Sequence, residues 1–203
     1  MTDRIVYDCE QGTEEWFRCR MELPTASMFS TVKAKGKDGG ESKTRGKYMR
    51  QLAGEILTGE PMESYSNAHM ERGTEMEAEA VAAYAFETGA EVETVGFIRM
   101  GDIAGCSPDR LVEGGMVEIK TKATHLQIEL LEADRVPPEH MAQLQGQLWV
   151  ADREWVDFVS YWPRLPLFLR RVYRDEGEIK RIAEAVDQFN TELAALVQRI
   201  RML

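Results

Sequence analysis

Between Ser107 and Lys120 the chain reads Ser-Pro-Asp-Arg-Leu-Val-Glu-Gly-Gly-Met-Val-Glu-Ile-Lys, which places an acid, a Gly-Gly turn, then an acid and a lysine two residues apart. If residues 116–121 form a strand, Glu118 and Lys120 project from one face, because side chains alternate with a period of two. Asp109 then lies on the neighbouring arm of a hairpin, within reach of that face. Two carboxylates and an ammonium converging on one point can hold a hard divalent cation and set a water against a phosphodiester. Mg²⁺ takes oxygen ligands and keeps several waters, so two or three carboxylates suffice. Asp109 and Glu118 are the candidate ligands, and the Ile119 carbonyl between the motif residues can add a third oxygen. Lys120 is the candidate to orient or deprotonate the water and to stabilise developing negative charge. As a bare pattern this is weakly specific, since many solvent-facing strands carry Glu and Lys two apart as an ion-pair ladder.

The elements that must position these residues are legible in outline. A short helix is expected in the opening segment through Arg20, with Trp16, Phe17 and Met21 among its apolar residues. Pro24 interrupts it, and Thr25 is a candidate cap for a restart at Ala26-Ser27. Residues 33–50 hold Lys33, Lys35, Lys37, Lys43, Arg45, Lys47 and Arg50 with four glycines, a basic loop running into a helix over 48–57. This run is either a solvated surface or a phosphate-backbone contact. A second helix over 71–88 ends at Gly89, a favourable residue for a helix C-terminus. On it Glu77 shares a stripe with Ala80, Val81 and Tyr84, while Glu75 and Glu79 point the other way. An acid in an apolar stripe needs a cation or hydrogen bonds. Either the helix is rotated so that Glu77 sits at its edge, or Glu77 is a third acid aimed at Asp109 and Glu118.

Strands are expected over 92–100, 103–106, 110–112 and 116–121. A helix follows from Pro137-Pro138 to about Trp149, with Gln143 and Gln147 flanking its stripe of Met141, Leu144 and Leu148. Strands over 155–161 and 167–173 and an amphipathic helix over 178–200 close the chain. This order points to an α/β or α+β fold with a mixed central β-sheet flanked by helices.

Composition sets outer bounds. The chain has 203 residues, 43% hydrophobic and 30% charged, which suits one folded domain with a sizeable core. No apolar run approaches the roughly 18 to 20 residues of a membrane span, and no signal-peptide core is apparent. Cys9, Cys19 and Cys106 are scattered, so free thiols in a reducing cytoplasm are expected rather than a disulfide framework or a zinc or iron–sulfur site. The net charge of −10 argues against a nucleic-acid partner at first. It is unevenly spread: residues 1–50 carry ten basic and eight acidic side chains, residues 51–100 two basic and ten acidic.

With these pieces on the page, the sequence resembles the phage lambda exonuclease family, also called YqaJ-type viral recombinase nucleases, within the PD-(D/E)xK superfamily. The resemblance rests on Gln11-Gly12-Thr13 with Trp16 and Arg20, Thr25-Ala26-Ser27, Arg72-Gly73 followed by Glu77, Cys106-Ser107-Pro108-Asp109, Glu118-Ile119-Lys120, and Met141-Ala142-Gln143 before Trp149-Val150. It implies a restriction-endonuclease-like core in a single domain over 1–203, with an N-terminal helical part over 1–70, a catalytic core over 71–175 and a C-terminal helix over 176–203. It further implies a Mg²⁺-dependent exonuclease, with Mn²⁺ able to substitute. Such an enzyme digests linear duplex DNA from the 5′ end to mononucleotides and leaves 3′ overhangs for a single-strand annealing protein. A ring-shaped homotrimer in the cytoplasm of a bacterial host, phage or prophage encoded, belongs to the same implication.

Matched by position, Asp109, Glu118 and the Ile119 carbonyl resemble the metal ligands, with Glu77 assisting. Lys120 resembles the catalytic lysine and Gln143 the glutamine that supports the site. Arg20, Ser27 and Ser107 match the pocket for the terminal 5′-phosphate. The alternatives are another nuclease of the superfamily, such as an endonuclease, and a DNA-end-binding clamp without turnover. The sequence departs from the family pattern at Arg110, where glycine often follows Ser-Pro-Asp, and at Leu23-Pro24.

Overall fold

The computed structural model describes residues 2–36, 40, 42–61 and 68–203, with the side chains of 68–75 left aside. Among the described residues there are seven strands and seven α-helices, in two sheets. The chain opens with β1 (Arg4–Tyr7), α1 (Glu14–Arg20), a 3-10 turn (Ala26–Met28), α2 (Phe29–Val32), α3 (Lys43–Thr58) and α4 (Ala68–Thr88). Next come β2 (Phe97–Met100), β3 (Ala104–Cys106), β4 (Arg110–Val112) and β5 (Gly115–Thr121). The remainder is α5 (Thr124–Ala133), α6 (Pro138–Ala151), β6 (Trp155–Tyr161), β7 (Phe168–Tyr173) and α7 (Glu176–Arg201).

The expected mixed sheet is present as four strands in the order β4-β5-β6-β7, with β5 and β6 parallel and the outer pairs antiparallel. A parallel pair needs a helical crossover, and α5 and α6 supply it. Helix α4 packs on β5 and β6, with Ala80 and Tyr84 fully buried against Val117, Ile119 and Val159. A second sheet, β1-β2-β3, is wholly antiparallel and corrects the single strand expected over 92–100. That segment changes sheets: Glu93 pairs with Leu111 beside the mixed sheet, whereas Phe97 pairs with Tyr7 in the other.

Helix α6 lies between the two layers and touches β2, β3, β6, α7 and the 3-10 turn. Gly146 makes that approach possible, since a Cβ there would stand 2.2 Å from a ring carbon of Phe29. The long helix α7 lays Ile182, Val186 and Phe189, all fully buried, on the same core. The hairpin β4–β5 turns at Glu113-Gly114, with Gly114 at φ 74° in the left-handed region that glycine adopts freely. Gly115 then lies flat on the Trp155 ring, where a Cβ would approach to 2.4 Å. The Gly-Gly pair therefore fixes both the turn and the register that brings Asp109 beside Glu118. All three cysteines are free thiols, and among the described residues no helix is long and apolar enough to cross a membrane.

Candidate active site

Strand β5 is central in its sheet, so the side chain of Glu118 projects into packed protein and is 2% exposed. A buried carboxylate needs donors on both oxygens. Lys120 donates to Oε1 at 2.5 Å and Gln143 to the same oxygen at 2.6 Å, while Gln147 donates to Oε2 at 2.6 Å. Gln143 and Gln147 are one helical turn apart on α6, so both face the strand, as i and i+4 residues do. Lys120 sits two residues along β5 on the same face as Glu118, as the alternation requires.

Asp109 precedes β4, and its N–H donates to the Val117 carbonyl at 3.1 Å, which extends the hairpin ladder by one rung. Its Oδ2 accepts from the Ile119 N–H, so the two acids meet across the hairpin. Burial pushes the Asp109 carboxyl well up, and the Glu118 charge adds to the rise, against the lowering by the Ile119 N–H. Burial alone lowers the Lys120 ammonium; the Glu118 charge and hydrogen bond more than offset it, and the net direction is upward. Lys120 is therefore held against Glu118 by an ion pair, with its nitrogen beside the paired acids.

Two acids this close, one of them buried, favour a positive charge between them, and Lys120 supplies only part of it. Their oxygens, with the Ile119 carbonyl, suit a hard divalent ion that completes its shell with water or substrate. Among the described residues, however, no three Asp, Glu, His or Cys side chains gather closely enough to enclose a metal. Glu77 does not join the pair. Arg110 donates to Glu77 Oε1 at 2.9 Å, and it also donates to the Asp109 carbonyl. The third acid of the sequence reading is thus ion-paired, on a side chain that is 32% exposed.

One cavity joins this cluster to a second group of polar side chains: it is lined by Asp109, Glu118, Gln143 and Gln147 and also by Trp16, Arg20, Ser27 and Ser107. Arg20 donates to Ser107 Oγ at 3.2 Å, the Trp16 indole N–H donates to the same oxygen at 3.0 Å, and the Arg20 guanidinium lies 4.0 Å from the Trp16 ring centroid. Burial lowers the Arg20 pKa, against the raising effect of Tyr48 and of the Glu55 charge. The Ser27 hydroxyl lies 3.3 Å from that of Thr25. The Tyr48 hydroxyl of α3 accepts the Thr25 N–H at 3.2 Å and so steadies the cavity wall. Gln11 donates to the carbonyls of Val95 and Pro108 at 3.0 and 2.9 Å, pinning the approach to Asp109.

The structure thus brings together Arg20, Ser27, Ser107, Asp109, Glu118, Lys120 and Gln143, with Glu77 beside them, paired to Arg110 and near enough for its charge to act on Asp109 and Lys120. Gln147 was missed as a site residue because a glutamine at the edge of an apolar stripe reads as solvated. Its spacing of four from Gln143 was the available signal. The basic run divides. Lys33 pairs with Glu178 and Arg45 with Glu192, so both tie α7 to the body of the protein. Lys35, Lys43 and Lys47 are exposed, and Lys37 lies outside the described residues.

The YqaJ-like viral recombinase domain model matches residues 15–154. No curated protein sequence matches the chain. Among solved structures, an alkaline exonuclease (LHK-Exo) from Laribacter hongkongensis is 38% identical, with a TM-score of 0.83 over 94% of this chain and 97% of that one. The same enzyme in complex with dAMP superimposes with a TM-score of 0.82 at 38% identity over the same shares of the two chains. A phage-related exonuclease from Haemophilus somnus 129PT, at 16% identity, shares the fold alone, with a TM-score of 0.65 over 91% of this chain and 99% of that one. With both the family model and a relative of this identity spanning most of its length, the chain belongs to the YqaJ-like viral recombinase domain family.

Proposed function

We propose that this chain is a divalent-metal-dependent exonuclease that degrades linear duplex DNA from the 5′ end, releasing mononucleotides and leaving 3′ single-stranded overhangs. The observation that carries the reading is the shared cavity: the paired acids at Asp109 and Glu118 and the anion-binding group at Arg20 and Ser107 line one space. A terminal phosphate seated on Arg20 would lie within that space, beside the acids. An exonuclease needs this pairing, because an end must be gripped and the next phosphodiester cut. The alkaline exonuclease of similar sequence and its complex with dAMP support the same reaction class.

A divalent ion held by Asp109, Glu118 and the Ile119 carbonyl would supply Lewis acidity and charge relief at the scissile phosphate. The chain's own groups do the rest. Gln143 and Gln147 fix the Glu118 carboxylate, and Lys120 offers an ammonium to the charge that develops on phosphate. Arg20 offers a planar fork, matched to phosphate oxygens, and Ser27 and Ser107 offer hydroxyls. Mg²⁺ is the resident ion in this reading and Mn²⁺ its substitute. A homotrimeric ring and a single-strand annealing partner complete it, on the strength of family membership.

The test compares linear duplex bearing a 5′-phosphate or a 5′-hydroxyl with closed circular duplex, each with and without Mg²⁺. Metal-dependent, ordered loss from 5′ ends on linear DNA alone is the expected result. Cutting of circles would replace this reading with an endonuclease, and binding without products with an end-binding clamp.

A further inference from the structure

The three thiols of the chain are not equivalent. Cys106 is fully buried in β3, whereas Cys9, between β1 and α1, and Cys19, in the last turn of α1, are half-buried and free. The two half-buried thiols meet: that of Cys9 shares a hydrogen bond with that of Cys19. Gly96 organises the meeting. Its N–H donates to the Tyr7 carbonyl at 3.0 Å, and the Cys9 sulfur packs on it so closely that a Cβ there would stand 2.5 Å away. The Gly96 carbonyl accepts the Trp16 indole N–H at 3.0 Å. Cys19 and Arg20 lie three and four residues after Trp16, so all three share one face of α1. The face that Trp16 seats on Gly96 therefore carries Cys19 to Cys9, with Arg20 as its next neighbour.

We propose that Cys9 and Cys19 form a reversible dithiol–disulfide pair, closed by a small-molecule disulfide, which fastens the end of α1 to the segment after β1 and so shifts Arg20. Partial exposure leaves the pair open to a small oxidant. Burial and the neighbouring Cys19 push the Cys9 thiol up to about 11, which makes Cys19 the first to react and Cys9 the resolving partner. The Cys19 sulfur, its proton given to solvent, attacks one sulfur of the small disulfide and expels a thiolate. Cys9 then attacks the Cys19 sulfur and expels the second. The two expelled thiolates take up the two protons, so two cysteine thiols are oxidised and one disulfide is reduced to two thiols. A covalent bond between the sulfurs is shorter than the contact of two thiols, so its closure draws the last turn of α1 toward Cys9.

Peptide mapping by mass spectrometry, after equilibration of the whole protein with oxidised glutathione and alkylation of the remaining thiols, tests the pair without reference to turnover. A linked Cys9–Cys19 peptide should form, vanish on reduction and be absent from Cys9→Ser. Unlinked thiols, glutathione mixed disulfides alone, or linkage through Cys106 would overturn the proposal. The effect on Arg20 rests on the end-phosphate reading above and has its own readout. The ratio of initial rates on 5′-phosphorylated and 5′-hydroxyl ends should fall by about tenfold in the linked protein, since a small misplacement of a binding group is costly. Cys9→Ser should keep its ratio in oxidised glutathione. An unchanged ratio in protein shown to carry the bond overturns the link to Arg20. If the reduced parent shows no end preference, the end-phosphate reading fails instead, and the peptide map alone decides the thiol pair.

Discussion

Glu118 shows what a single buried charge demands. Its two oxygens accept from Lys120, Gln143 and Gln147, at 2.5 to 2.6 Å, and each donor answers a different need. The lysine carries charge; the amides carry direction. Lys120→Ala should therefore leave duplex binding nearly intact and lower single-turnover digestion by about 10² to 10⁴. Parental digestion by that variant would remove Lys120 from the chemistry. Gln147→Leu is isosteric in outline but leaves Glu118 Oε2 buried without its donor. It should cost roughly 1–3 kcal/mol in urea unfolding of the metal-free protein, and an unchanged midpoint would mean the bond contributes nothing. Arg20 carries a charge opposite to that of Glu118. A half-buried guanidinium held on Trp16 and Ser107, whose burial the charge of Glu55 offsets only in part, is suited to an anion. Arg20→Ala should abolish the preference for 5′-phosphorylated over 5′-hydroxyl ends, measured as the ratio of initial rates. An undiminished ratio would place the end-phosphate elsewhere.

At the scale of elements, α7 is joined to the rest through Lys33 to Glu178 and Arg45 to Glu192 as well as through its apolar stripe. Hydrogen bonds from Lys33 and Arg45 hold the two glutamates below their ordinary value of 4.5. A carboxyl depressed on folding stabilises the fold above its unfolded pKa, and that stabilisation is lost as pH falls through the depressed value. Helix α7 should therefore loosen in acid below pH 4.5. Glu192→Gln should flatten the dependence of the melting temperature on pH in that window, and an unaltered slope would deny the pair a part in it. Both pairs are partly exposed, so the effect is modest and weakened by salt.

The same scale explains what the sequence could and could not tell. The β4–β5 hairpin was legible because its two glycines, its alternation and its acid-lysine pair all follow local rules. Helix α5 was not. Its inward face carries Gln127, fully buried and donating to the carbonyls of Ser160 and Pro166, so no apolar period marks it. Strand β1 was taken into a helix because Ile5 and Val6 are both exposed, at a sheet edge where alternation brings no burial. Glu77 was placed on the right stripe, but its ion pair with Arg110 joins α4 to β4, and periodicity along one helix carries no information about such a partner.

Over the whole molecule, a net charge of −10 must coexist with a polyanionic substrate if the proposed function holds. The division within the basic run supplies the resolution. Lys33 and Arg45 are neutralised by acids of α7, and a cation already paired releases few counterions when a phosphate approaches. Lys35, Lys43, Lys47 and Arg50 are exposed, and α3, which carries the last three, also carries the Tyr48 that steadies the cavity wall at Thr25. A duplex end seated at Arg20 would thus have its flank against this helix. Each phosphate neutralised there steepens the salt dependence of binding by about 0.9 in log K against log salt. Replacing Lys43 and Lys47 by Ala should shallow that slope by about 1.8 in all if both contact backbone phosphates. Arg45→Ala should leave the slope alone and lower the melting temperature, because its charge serves α7. If Arg45→Ala shallows the slope and the double replacement does not, the duplex approaches along a different face, and the assignment of α3 to DNA falls while the catalytic cluster stands.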